Sequence, residues 1–112
     1  MELFKLLNSN KSFSEILSLL RSKYKLYIRN EGDSPLTLIK YDREKTVMSD
    51  IFTHQFRGVV LKEKKVLCFP PEKSYSLDKF LEVVGENWTD VRVEEHIDGT
   101  MINMFWDGEW LI

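Results

Sequence analysis

The sequence is poor in the residues that would tie a chain down covalently or thread it through a membrane. A single cysteine, Cys68, excludes an internal disulfide. One cysteine with two histidines, His54 and His96, makes no zinc pattern. No apolar run approaches the length needed to span a bilayer, and the N-terminus Met1-Glu2-Leu3-Phe4-Lys5 lacks a signal-peptide layout. Excess charge is missing as well. Sixteen Lys and Arg against eighteen Asp and Glu leave a net charge of −2, so no bulk basic field drives non-specific nucleic-acid binding. The expectation is a soluble, intracellular (cytoplasmic) protein of a reducing compartment, with no membrane partner.

What is present suits a small folded domain. The 112 residues are 43% hydrophobic, 12% aromatic and 30% charged, which is globular composition and enough for one core. Leu3, Phe4, Leu6 and Leu7 suggest a short helix over residues 1–8. Ser12-Phe13-Ser14-Glu15 fits a capping box. Phe13, Ile16, Leu17, Leu20 and Tyr24 then recur at helical spacing, predicting a helix over 13–23. Strand character follows over 24–29, then a loop over 30–35, a strand over 36–41 and a charged turn. Residues 46–55 are ambiguous, with Asp50 placed to cap one helical turn. Two strands, 56–61 and 66–69, flank the turn Lys62-Glu63-Lys64-Lys65, where the lysines read as solvated. Pro70-Pro71 ends the second strand. Ser76 caps a short helix with Leu77, Phe80, Leu81 and Val84 on one face and Gly85 at its end.

The last twenty residues hold the two Asp-Gly pairs. Residues 91–97 alternate as a strand, with Val91, Val93 and Glu95 on one face and Arg92, Glu94 and His96 on the other. Glu94 and Glu95 then point apart, which argues against a two-carboxylate hydrolase. Asp98-Gly99 follows that strand, and Asp107-Gly108 signals a terminal hairpin. Met104, Phe105, Trp106 and Trp110 read as core, while Trp110-Leu111-Ile112 would need a pairing partner. The fold class expected is α+β, an antiparallel sheet with two or three short helices in a single domain over 1–112.

The ordered segments Arg57-Gly58-Val59-Val60, Pro70-Pro71-Glu72-Lys73-Ser74 and Glu95-His96-Ile97-Asp98-Gly99-Thr100 resemble the N-terminal part of phage-type, ATP-dependent RNA ligases that repair tRNA breaks, and their relatives in large DNA viruses. The resemblance spans roughly residues 24–112. It implies a partial, incomplete nucleotidyltransferase (adenylation) domain, ATP with Mg as cofactors, and RNA ends as partners. In that family a lysine attacks the α-phosphate of ATP, carries AMP as a phosphoramide and passes it to an RNA 5′-phosphate for joining. By that resemblance Arg57, Lys73, Tyr75, Asp98 and Gly99 correspond to nucleotide-binding positions, and His96 occupies the catalytic one.

Two departures stand out. The family nucleophile is lysine, and the motifs that supply metal-binding glutamates and further lysines have no counterpart before Ile112. Imidazole is largely neutral at pH 7 and forms phosphoramides elsewhere, but its reach differs from a lysine's and near-attack geometry tolerates little error. Weak or absent catalysis is therefore expected. Each residue also has a plainer reading. His96 reads as a polar strand residue, Lys73 as a solvated turn and Asp98 as turn chemistry. Arg57, inside an apolar run, needs either a site or an acid such as Glu94 or Glu95. The alternatives to an adenylyltransferase fragment are a non-catalytic module that holds a nucleotide or RNA end, and a subunit whose open terminal hairpin docks on a protein partner that completes the domain.

Overall fold

The computed structural model describes residues 2–112. Helices α1 (Glu2–Leu7) and α2 (Phe13–Ser22) open the chain. A meander of β1 (Tyr27–Arg29), β2 (Leu36–Lys40), β3 (Arg57–Lys62) and β4 (Lys65–Cys68) follows, with a 3-10 helix (Ile51–Gln55) before β3. Helix α3 (Leu77–Val84) and a two-residue-stranded hairpin, β5 (Phe105–Trp106) and β6 (Trp110–Leu111), complete it. The four strands pair antiparallel in the order β1-β2-β3-β4. This is the α+β class that the sequence implies. No helix among the described residues is long and apolar enough to cross a membrane.

Local chemistry accounts for the element ends. Ser12 Oγ accepts the Glu15 N–H at 3.1 Å, so the serine half of the capping box forms at α2. Asp50 Oδ1 accepts the Phe52 N–H at 3.0 Å and starts the 3-10 turn. Ser76 Oγ accepts from Lys79 N–H, and Gly85 at φ 55° ends α3. Strand β1 starts three residues later than expected. Lys25 lies at φ 56°, and the Leu26 N–H reaches back to the Leu20 carbonyl at 3.1 Å, so 24–26 belong to the exit from α2.

Strand alternation separates the two faces of the sheet. Ile39, Val59 and Leu61 are fully buried on the inner face, against Leu3 and Leu7 of α1 and Ile16 and Leu20 of α2. Phe52 and Phe56 close one end of this core, with ring centroids 5.2 Å apart, and Tyr24 lies 4.7 Å from Phe52. Among the described residues the buried hydrophobic core runs from Leu3 to Leu61.

Beyond Pro71 the structure changes character, and two expectations need correction. Residues 91–97 form no strand. Alternation in a sequence makes a strand possible, but a ladder needs a neighbouring edge, and the sheet ends at β4 with this segment outside it. Among the described residues, no backbone N–H from Arg92 to Met104 finds a protein acceptor. The terminal aromatics are not core either. Trp106 and Trp110 are 57% and 63% exposed and pack on each other at 5.5 Å. Helix α3 buries none of its residues.

Stability is therefore expected to reside in the first part of the chain. Leu61→Ala removes a fully buried side chain and should cost about 2–5 kcal/mol in urea unfolding. Leu77→Ala on α3 should stay within about 0.5 kcal/mol of the parent. Equal losses from the two would contradict this division.

Candidate functional site

The sheet's second face supplies the best-formed concavity. Arg29, Leu38 and Val60 are register partners across β1, β2 and β3, so their side chains share this face, and Leu36 extends it. Opposite them lie Ile102, Asn103 and Phe105 from the C-terminal segment, and Ile112 beyond β6. Between the two walls runs an open groove of about 480 Å³, with Glu31 and Ser34 at one lip. Its floor is aliphatic. Its charged groups are the Arg29 guanidinium, ion-paired to Glu31, and that glutamate.

Gly58 sets the shape of this groove. The β2–β3 ladder shifts register there, since Ile39 faces Val59 while Lys40 faces Arg57, leaving Gly58 as the extra residue of a bulge. Its φ is +107°, a conformation that a side chain at this position strains. An added Cβ would also sit 3.4 Å from Asn103 Nδ2. That is ordinary van der Waals contact, so what reserves the position for glycine is its backbone conformation.

An ion pair holds the far wall. Lys62 at the end of β3 meets both Asp107 carboxylate oxygens, at 2.9 and 3.2 Å. This corrects the reading of the β3–β4 turn as wholly solvated. Lys64 also has a partner, the Ser9 carbonyl at 3.0 Å. The Asp-Gly turn has a role beyond turning, because Gly108 at φ 80° makes the bend while Asp107 makes the tie.

The residues that the sequence singles out fall into two groups. Arg57 is exposed, and its Nη1 donates to the Glu72 carbonyl at 3.3 Å. The Lys73 N–H donates to the His54 carbonyl at 3.0 Å. The Arg-Gly strand and the Pro-Pro-Glu-Lys segment therefore meet, and Arg57 uses neither Glu94 nor Glu95. Tyr75 follows, 48% exposed. His96, Asp98 and Gly99 stand apart. All three are exposed, on the segment without ladder pairing, and neither they nor Arg57, Lys73 and Tyr75 line the groove. Glu94 is engaged locally by Arg92.

Sequence reasoning missed Arg29, Asn103 and Lys40. Lys40 is the register partner of both Tyr27 and Arg57, and its Nζ lies 5.2 Å from the Tyr27 ring centroid. Nothing in the residues alone marks this row, because only register reveals which side chains share a face. Neither Lys40 nor Arg57 has a carboxylate partner among the described residues. Burial pushes the thiol of Cys68, across from Val60, above its ordinary range, which favours the neutral form. Among the described residues no three His, Cys, Asp or Glu side chains converge as a metal site.

Gly58→Ala should destabilise the fold by about 1–3 kcal/mol in chemical denaturation, from backbone strain at φ +107°. A neutral Gly58→Ala would show that the bulge is not required. Comparison with protein families, curated proteins and solved structures finds no match to this chain.

Proposed function

We propose that the chain is an RNA-ligase-like nucleotidyltransferase portion that holds an adenine nucleotide, or the nucleotide at an RNA end, without completing covalent transfer. The observation that carries this reading is the groove on the open sheet face. Its size lies in the range of small-molecule sites, roughly 300–1,000 Å³. Its aliphatic floor of Leu36, Leu38 and Val60 suits a flat base. Cations for phosphates lie within it and beside it: Arg29, shared with Glu31, lines the groove, and Lys40 and Arg57, which have no carboxylate partner among the described residues, flank Gly58 outside the lining. Guanidinium groups favour phosphate oxygens because they present paired donors in a plane. The meeting of Arg57 with the Glu72-Lys73 segment supports the same reading, since the resemblance assigns both to the nucleotide.

Covalent transfer asks for more. A nucleophile must lie about 3–3.5 Å from the α-phosphorus and in line with the leaving group. His96 lies on an exposed segment without backbone pairing, away from the groove lining. Its ring has no side-chain or backbone partner among the described residues to fix a tautomer or an orientation. A divalent metal is implied by the resemblance, but the acidic residues do not gather to hold one. No step is assigned to it.

ATP labelled on the α-phosphate separates the possibilities. The expected result is a rise in melting temperature with ATP, equivalent to about 2.7 kcal/mol at a hundredfold excess over Kd. No label should remain on the denatured protein. Arg29→Ala combined with Arg57→Ala should weaken ATP binding about tenfold or more. The absence of any thermal response at millimolar ATP would overturn nucleotide binding. Label that survives denaturation and disappears in His96→Ala would make the chain an active adenylyltransferase instead.

A further inference from the structure

The two parts of the chain carry opposite charge. Residues 1–73 hold 14 Lys and Arg against 9 Asp and Glu, whereas residues 74–112 hold 2 against 9. The parts do not neutralise each other. Of the four ion pairs among the described residues, Lys62–Asp107 alone joins them. Among the described residues Glu86, Asp90, Glu95 and Asp98 of the acidic part have no cation partner, and of the basic part only Arg29 and Lys62 pair with a carboxylate.

The acidic part also carries thirteen of the seventeen exposed large apolar side chains among the described residues. Leu77 is 70% exposed, Val93 89%, Ile97 83% and Ile112 82%. Exposed apolar side chains in such number, with charged residues among them, mark a surface that another protein covers. Charge selects the occupant. Two acidic parts would repel each other, so the covering surface must be basic. Residues 1–73 of the chain carry that sign, a net charge of +5 from 14 Lys and Arg against 9 Asp and Glu.

We propose that residues 74–112 are a docking surface for a second copy of this chain, which meets them with its basic 1–73 part. In a twofold pair the contact is made twice, acidic on basic and basic on acidic, and the assembly closes at two. Apolar side chains supply the burial, and the charges set the orientation. This inference rests on charge and exposure and does not depend on nucleotide binding.

Sedimentation equilibrium of the full chain over roughly 10–500 µM tests it. The expected species at about 50 mM salt is a dimer, whose dissociation constant rises about tenfold or more at about 500 mM salt. The triple substitution Glu86→Lys, Asp90→Lys and Glu95→Lys lies on exposed positions. It should retain the parent circular dichroism spectrum and sediment as a monomer. A chain that stays monomeric at low salt throughout the range would overturn the proposal. So would a dimer indifferent to both salt and the triple substitution, or open-ended polymers. Because the readout is mass without ATP, its failure is distinct from failure of the nucleotide reading.

Discussion

The apolar contact between the inner face of β3 and the two N-terminal helices is the constraint on which the rest depends. Val59 and Leu61 lie fully buried on that face, and each such side chain withdrawn from water contributes roughly 1.5–3 kcal/mol. β3 is also paired on both sides, to β2 and to β4. Its outward Val60 forms part of the groove floor, and its first residues, Arg57 and Gly58, make the bulge. Core and groove are thus two faces of one strand. Helix packing fixes the backbone on one side, and that backbone positions the sheet wall of the groove on the other.

The C-terminal part is held by much weaker means. Helix α3 has good local signals, a serine cap and a glycine stop, but eight residues are too few for a helix to be stable on local interactions alone. Its main aromatic contact is Phe80 with Trp88, 5.8 Å apart within the same part of the chain. Between Arg92 and Met104 the chain lacks backbone hydrogen bonds donated to protein acceptors among the described residues. Apolar content was no guide to this. The aromatics of residues 105–110 equal any core in hydrophobicity, yet hydrophobicity states only what a side chain avoids and leaves open what is near enough to cover it.

What the sequence made legible follows the range of the interaction. Ser12, Asp50 and Ser76 act within three residues of themselves, so their caps were readable. The turn between β3 and β4 and the bend at Asp107-Gly108 were readable for the same reason. Residues 91–97 misled because alternation is local, whereas a ladder depends on an edge elsewhere. The groove was hardest to foresee. Arg29, Leu38 and Val60 are separated by up to 31 positions (29 to 60), and they share a face only once both registers are set. The bulge that breaks one of those registers is written in a single glycine. Arg57 and the 72–73 segment, expected together, do meet, whereas His96, Asp98 and Gly99 lie on a segment whose course no local signal fixes.

The tie between Lys62 and Asp107 has a consequence for how the groove behaves as a container. The lysine side chain is 43% accessible and the aspartate 19%, so water and ions reach the contact. A clasp of this kind contributes at most about 1 kcal/mol and loosens as electrolyte is added. One wall of the groove belongs to a rigid sheet, while the other hangs from that clasp and from its approach to Gly58. Dissolved ions therefore act on the groove through the one charged contact that ties its far wall to the sheet.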